Sequence, residues 1–442
     1  MKIPKRPPDI ANIAADIQKK SKGPELFLEL FELCKILVDS KYLHWDKIRF
    51  YDPPGNLELS HWWFGIKQKR RSLFREIQLL DSDHRPFCFL VFDHISQLLN
   101  EIDLGAGGII EMPDPITNPE TRDRYLVRSL MEEAITSSQL EQAATTRQVA
   151  KEMIRTGRRP KDRGEQMIVN NYRTMQQIVQ LKKEPLSKEL VFRIHRMITA
   201  ETLDNSTEAG RFRQQSADIR VADNYNITYH IPPPAEQLDE RMTLMCDFAN
   251  GSSPDFFVHP VIRSIILHFW LAYDHPFTDG NGRTARALFY WSMLRHRYWI
   301  FEYISISQII LKAPIKYGRA FLYTETDDND LTYFILYHLN VIQRAVKALH
   351  DYINMKIREM REIEASLRGV TLFNHRQRAL VGHALRHPQQ IYTIQSHQTS
   401  HGVVYETSRR DLMELHERGL LSKWKSGKTW LFMPTEDLEE RL

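Results

Sequence analysis

One short run, His275-Pro276-Phe277-Thr278-Asp279-Gly280-Asn281-Gly282-Arg283-Thr284-Ala285-Arg286, gathers an ionisable base, a hard-metal ligand, a flexible turn and two fixed cations. Gly280 and Gly282 can take backbone angles closed to most residues, and Asn281 tolerates a left-handed one. Backbone N–H groups in such a turn converge on an anion. Downstream, Ala285, Leu288, Phe289 and Met293 keep an apolar stripe, with no Gly or Pro through Ile300, so the turn opens a helix. A helix N-terminus attracts negative charge. Arg283 and Arg286 lie one turn apart in its first turn, where the helix dipole disfavours cations unless an anion joins them. Asp279 suits Mg²⁺, which takes one or two carboxylates plus substrate phosphates. His275 titrates near neutrality and is the natural general base. A capped helix with scattered charge would account for any one of these features. Their combination asks for a polyphosphate substrate.

A second set lies upstream. Tyr125 to Ala144 is predicted as a helix on which Leu126, Leu130, Ala134, Ser137 and Glu141 share one face. An apolar face that ends in Ser137 and Glu141 buries a carboxylate, which is costly without a cation. Nearer the motif, His259-Pro260 opens a helix with Ile262, Ile265, Phe269 and Tyr273 on one side. Ile219, Val221, Ile227 and Tyr229 read as two short strands around Asp223-Asn224-Tyr225-Asn226.

The run at 275–286 resembles the motif of Fic-domain proteins, His-x-Phe-x-(Asp/Glu)-Gly-Asn-Gly-Arg-x-x-Arg, at every specified position. The resemblance implies a helical bundle that moves AMP from ATP onto a Ser, Thr or Tyr hydroxyl of a protein. It makes His275 the base that deprotonates the target hydroxyl and Asp279 the holder of Mg²⁺ or Mn²⁺. Gly280, Asn281 and Gly282 become the anion hole for the α- and β-phosphates, Arg283 contacts phosphate, and Arg286 grips the γ-phosphate. The segment Ser137-Ser138-Gln139-Leu140-Glu141 matches the family's inhibitory helix, whose Glu pairs with the second motif arginine. Gln142 departs from the Gly or Asn expected there, which puts the helix ending in question. Arg211-Phe212-Arg213 through Pro232-Pro233-Pro234 is similar to the family's flap, whose hairpin, 218–230 here, would pair with the segment carrying the target hydroxyl. Asp330-Leu331-Thr332 matches a segment found before the family's last core helices. The family also removes AMP or transfers other phosphate-containing groups, and those reactions stay open. So does self-modification.

The tail has its own pattern. Gln377 to Leu385 is predicted as a helix, Tyr392-Thr393-Ile394 as a strand and Thr407 to Arg418 as a helix. Leu420 to Trp424 and Trp430 to Met433 form a hairpin around Ser426-Gly427-Lys428. This order resembles a winged helix-turn-helix. Arg409, Arg410, Lys425 and Lys428 fall where such a domain meets DNA, though a winged helix used for protein contacts fits the small basic surplus as well.

The expected architecture is mainly α. It comprises an N-terminal helical region (1–118), a Fic helical bundle with a β-hairpin flap (119–341, including the inhibitory helix 125–144), a connecting helix (342–367) and a winged helix-turn-helix domain (368–442). The connecting helix could also form a dimer seam. Within 1–118, the basic Lys67-Gln68-Lys69-Arg70-Arg71 is expected to be a solvated helix face, and Trp62-Trp63 to be buried anchors. With 442 residues, net charge +4 and three dispersed cysteines, the chain shows no metal-like Cys spacing and suits a reducing compartment. No apolar signal core or membrane-length segment is evident, so a cytoplasmic protein is expected. A DNA-binding regulator in which the Fic core is secondary is the remaining class.

Overall fold

The motif loop joins two helices that are buried on nearly every side, α11 (Pro260–Asp274) and α12 (Asn281–Arg295). Pro260 at the first position and the His259 ring, whose Nδ1 accepts from the Val261 N–H, start α11 as the sequence predicts. A helix apolar all round needs partners on every face. In the computed structural model these are α6 (Pro119–Leu140), α8 (Arg163–Leu181), α9 (Lys188–Thr199) and α10 (Leu238–Asn250). The model describes residues 1–19, 23–55, 57–106, 119–216, 219–222, 225–368, 373–387, 389–427, 429–438 and 440–441. They form two compact units, Met1–Leu349 and His350–Leu442.

The first unit begins with α1 (Ile10–Lys19), α2 (Gly23–Leu33), the single turn α3 (Trp45–Ile48) and α4 (Leu59–Arg71), which share a core of Ile17, Leu30, Ile48, Trp63 and Ile66. The basic run in α4 is not a solvated face. Lys67 and Arg70, three apart and therefore on one side, are fully buried. Lys67 Nζ meets Asp327 Oδ1 at 2.7 Å and Asp328 Oδ2 at 3.2 Å. Arg70 donates to Tyr333 Oη (2.9 Å) and to the Ile36 and Leu43 carbonyls, and lies over the Tyr42 ring. Burial disfavours the Lys67 ammonium, but the aspartates more than offset it and raise its pKa.

The N-terminal region is also not wholly helical. Strands β1 (Arg75–Leu80) and β2 (Pro86–Phe89) form an antiparallel hairpin. Its turn is fixed by Asp81 Oδ1, which accepts from the Asp83 and Arg85 N–H groups. The buried alternation of Ile77 and Leu79 is a period-two signal, too short to stand out between helices. After α5 (Asp93–Ala106), α6 and α7 (Arg147–Thr156), the side chains of Thr146, Asp162 and Ser187 cap α7, α8 and α9. Strands β3 (Val221–Ala222) and β4 (Thr228–His230) pair antiparallel, with Val221 opposite His230, and are shorter than predicted. Residue 218 and the turn residues Asp223 and Asn224 lie outside the described residues. Helices α13 (Ile306–Leu311) and α14 (Pro314–Thr326) follow α12, which stops at Arg295 rather than running to Ile300. Asp330 Oδ1 accepts from the Thr332 N–H and starts α15 (Thr332–Arg368), so the predicted connecting helix is the later part of one longer helix.

The second unit contains α16 (His375–Arg386), β5 (Tyr392–Thr393), α17 (Ile394–His401), α18 (Tyr405–Glu417), β6 (Leu421–Ser426) and β7 (Thr429–Pro434), with sheet order β5-β7-β6. Leu380, Val381, Leu412, Leu415, Leu421 and Phe432 fill its core. Helix α17 is additional to the elements predicted. Its sequence is polar and lacks an apolar stripe, and it starts from a capping box between Thr393 and Ser396. Among the described residues, no helix is long and apolar enough to cross a membrane.

Asp327→Ala removes the main counter-ion of a fully buried ammonium. We expect a loss of about 3–5 kcal/mol, read as a lower urea midpoint for the first unit. A loss below about 1 kcal/mol would show that Lys67 has a sufficient second partner in Asp328.

Candidate active site

The 275–280 loop is held residue by residue. His275 ends α11 in a left-handed conformation, φ 46°, with its N–H on the Leu271 carbonyl at 3.0 Å. Arg213, from the segment leading into the hairpin, donates Nε to the His275 carbonyl and its N–H to the Pro276 carbonyl, both at 2.9 Å. The Asn281 side chain closes on Phe277. Its Oδ1 accepts from the Phe277 N–H at 2.9 Å, and its Nδ2 donates to the Phe277 carbonyl at 2.8 Å. The buried His195 ring stacks on Phe277 with centroids 3.7 Å apart. His195 Nδ1 accepts from the Gly210 N–H (2.9 Å), so Nε2 carries the proton and donates to the Asp279 carbonyl (2.9 Å). Burial pulls this imidazole down to about 4, which keeps that neutral tautomer.

Gly280 follows with φ +82° and caps α12 without any side chain. The backbone N–H groups of Asn281, Gly282 and Arg283 therefore open α12 uncapped, an anion-binding end. A Cβ on Gly280 would strike Thr199, and one on Gly282 would strike the Glu141 carboxylate. Glu141 thus lies directly over the glycine turn. Arg286, 2% exposed, donates Nε to Ser137 Oγ (2.8 Å), and Nη2 to the Ser137 carbonyl (2.9 Å) and Glu141 Oε1 (2.8 Å). Glu141 is 34% exposed on its side chain. The predicted pair is therefore formed.

The helix that delivers it ends earlier than the predicted 125–144. α6 stops at Leu140, because the Ala143 N–H returns to the Ser138 carbonyl and the Gln142 N–H to the Gln139 carbonyl. This is a Schellman ending, whose next residue must be left-handed. Gln142 takes that role, with φ 67°. A position that suits Gly or Asn is filled here by a residue that strains to adopt it. Leu130, Ala134 and Ser137 are buried as predicted, while the Leu126 side chain lies outside the described residues.

His275 Nδ1 lies 3.3 Å from the Ala272 carbonyl, which can only accept, so the proton sits on Nδ1 and Nε2 keeps its lone pair. Burial pulls this imidazole down to about 4, and the nearby His230 cation pulls in the same direction. His230, on β4, contacts two acceptors at 2.7 Å, Glu325 Oε2 through Nδ1 and the Tyr273 carbonyl through Nε2. Burial lowers its pKa, but the Glu325 carboxylate outweighs that and leaves it raised.

Asp279 Oδ1 accepts from the Gly280 N–H, and Oδ2 lies 3.0 Å from Arg163 Nη2 and 3.6 Å from Arg283 Nη2. Arg283 is fully buried. It donates Nη1 to the Ile198 carbonyl, while its Nε and Nη2 make no hydrogen bond among the described residues. Glu141, Gln142, Arg163 and Asp279 line one cleft of about 820 Å³. Among the described residues, no group of three His, Cys, Asp or Glu side chains forms a metal cage. A single partly exposed carboxylate beside an anion-binding turn has instead the donor set of a Mg²⁺ shared with phosphates.

Sequence reasoning missed His195 and Arg163, and read Arg213 only as the start of the flap. Each acts through a fold contact across 60 or more positions, and no local pattern marks them. Elsewhere, Arg409, Arg410 and Lys425 are exposed in the second unit, and Arg409 pairs with Glu406 at 2.8 Å. Lys428 lies outside the described residues.

Residues 185–293 match the Fic/DOC family. The chain is similar to the protein adenylyltransferase Fic of Nematostella vectensis, 36% identical over 107 residues, which is 24% of this chain and 22% of that protein. It is also similar to the protein adenylyltransferase fic-1 of Caenorhabditis elegans, 32% identical over 112 residues, 25% of this chain and 20% of that one. The matched part thus spans about a fifth of the length of these curated relatives. A Fic family protein from Desulfovibrio desulfuricans G20 has a similar fold, with a TM-score of 0.54 and 19% identity over 78% of this chain and 97% of that one.

His275 and the His195 that packs on its loop both have lowered folded pKa values, so their neutral rings stabilise the fold fully above the unfolded value near 6.5. That contribution is lost as pH falls from there toward about 4. By NMR, His275 and His195 should keep neutral-imidazole shifts from about pH 7 to pH 5. A midpoint near 6.5 for either ring would contradict the geometry.

Proposed function

We propose that the chain is a protein adenylyltransferase that moves AMP from ATP to a Ser, Thr or Tyr hydroxyl of a protein, and that Glu141 holds it inactive. The observation that carries the reaction is the juxtaposition of an uncapped helix N-terminus with a neutral His275 whose Nε2 is free to accept a proton. The target hydroxyl oxygen attacks the α-phosphorus while His275 Nε2 takes its proton. The bond from the α-phosphorus to the bridging oxygen breaks, and pyrophosphate leaves. The N–H groups of the glycine turn face the α- and β-phosphates. Arg283 and Arg286 neutralise charge that grows on the leaving group. Mg²⁺ or Mn²⁺ held by Asp279 would supply further charge neutralisation between the phosphates. The firmly held loop fixes the geometry in advance, as positioning chemistry requires.

The inhibition rests on the Glu141–Arg286 pair. Glu141 covers the turn over Gly282 and engages the arginine assigned to the γ-phosphate. ATP then binds only in a pose unsuited to in-line attack. The 218–230 hairpin is assigned to target docking by strand addition. It offers exposed Val221, Tyr225 and Ile227, with Tyr225 86% exposed. Segment 119–341 is assigned to the Fic domain and 368–442 to a winged helix-turn-helix, in which α17 and α18 supply the helix pair and β6–β7 the wing. A cytoplasmic setting fits the three buried free cysteines. The exposed Arg409, Arg410 and Lys425 favour DNA binding as a second role of the tail.

Intact-mass analysis of the purified chain with ATP and Mg²⁺ tests the reaction. Glu141→Gly should raise AMP transfer, including self-modification, by about tenfold or more, as expected if release is worth at least about 1.4 kcal/mol. His275→Ala in that background should lower it by about 10²- to 10⁴-fold. No gain on the first substitution contradicts the inhibition, and no loss on the second contradicts the base.

For the tail, Arg409→Ala with Arg410→Ala should weaken DNA binding and reduce its salt slope by about 1 for each phosphate no longer neutralised. Absence of DNA binding by the unaltered chain at low salt leaves protein contact as the tail's role.

A further inference from the structure

Arg163 opens α8, immediately after its Asp162 cap. A cation in the first turn of a helix is opposed by the helix dipole unless an anion stands beside it. The anion here is Asp279, 116 positions away in the chain, with Arg163 Nη2 on Oδ2 at 3.0 Å. Asp279 is the carboxylate that the proposed function gives to a divalent cation. Both of its oxygens are engaged, Oδ1 by the Gly280 N–H and Oδ2 by two guanidinium groups. A Mg²⁺–carboxylate bond measures about 2.0–2.1 Å, so a dication on Oδ2 would crowd and repel both arginines.

The two arginines differ in freedom. Arg283 is fully buried and tied to the Ile198 carbonyl. Arg163 is 53% exposed, lines the 820 Å³ cleft, and has an alternative anion in Asp204, 3.5 Å from its Nη1. Arg163 is therefore the group that can leave. We infer that Arg163 is the resting counter-ion of Asp279, occupying the carboxylate in place of a divalent cation and yielding it when the cation binds. This rests on the reading of Asp279 as a metal ligand. It places a second carboxylate–guanidinium latch on the same cleft as Glu141. The two latches cover different parts of the substrate: Glu141–Arg286 the γ-phosphate position, Arg163–Asp279 the metal position.

The test is binding of Mn²⁺ alone to the full chain, followed by the electron paramagnetic resonance of free Mn²⁺. Arg163→Gln should tighten Mn²⁺ about two- to fivefold, the range set by releasing a partly exposed pair. Lys161→Gln removes a positive charge two residues away and should have a smaller effect. Asp279→Asn should weaken Mn²⁺ and erase the gain from Arg163→Gln. Equal or weaker binding by Arg163→Gln overturns the inference, as does an equal gain from Lys161→Gln, which would reduce the effect to net charge. Mn²⁺ with ATP separates this failure from that of the underlying reading. If Asp279→Asn weakens Mn²⁺ binding in the presence of ATP while Arg163→Gln binds Mn²⁺ alone no tighter, only the latch fails. If Asp279→Asn changes neither measurement, the metal reading fails and the inference with it.

Discussion

A guanidinium buried without acceptors is costly, and Arg286 places its N–H groups on a segment 149 positions earlier in the chain. Ser137 gives its hydroxyl and carbonyl, and Glu141 gives its carboxylate. Breaking one partner of such a pair is costly, because the other is left buried with an uncompensated charge. The γ-phosphate assigned to Arg286 in the proposed function has the same sign of charge as Glu141, so the arginine could exchange one anion for the other without being stranded. In the proposed function that exchange would turn a stabilising contact into a control point. The end of α6 serves it: the Schellman turn puts Glu141 at the helix cap, over the glycine turn, and Gln142 accepts a left-handed backbone to do so.

Around this exchange the rest of the loop is fixed. His195, Arg213 and Asn281 use their hydrogen bonds on the backbone of residues 275–279 rather than on solvent. The loop therefore carries its shape in advance, and the proposed base His275, the glycine turn and the Asp279 carboxylate are set relative to one another. His230 links β4 of the hairpin to the end of α11 and to Glu325 of α14, so the proposed docking strand is anchored beside His275.

The chemistry was more legible in the sequence than the scaffold. The motif is contiguous, and each of its residue types has few reasons to sit beside the others, so Gly280 to Arg286 could be placed at the start of a helix from spacing alone. Glu141 was legible because a carboxylate closes an apolar face and therefore needs a cation. Lys67 and Arg70 carry the same lesson in reverse: the run Lys67–Arg71 looks solvated, yet burial is decided by Asp327 and Tyr333, more than 250 positions away. Hairpin β1–β2 and helix α17 were missed because their local patterns are weak. One is a short alternation between helices, and the other is a polar segment held by its capping box. Arg163 has no local signal, since its partner Asp279 is met only in the fold.

If Glu141 and the γ-phosphate compete for Arg286, ATP should stabilise the chain more when the glutamate is gone. A ligand raises the melting temperature according to its affinity for the folded state, and a released Arg286 adds to that affinity. The most direct measurement is the ATP-induced shift in melting temperature of the unaltered chain and of Glu141→Gly, at matched ATP and Mg²⁺. A larger shift for Glu141→Gly is the predicted result. Equal shifts would mean that Glu141 does not occupy the position the γ-phosphate needs, and would contradict the account at its centre.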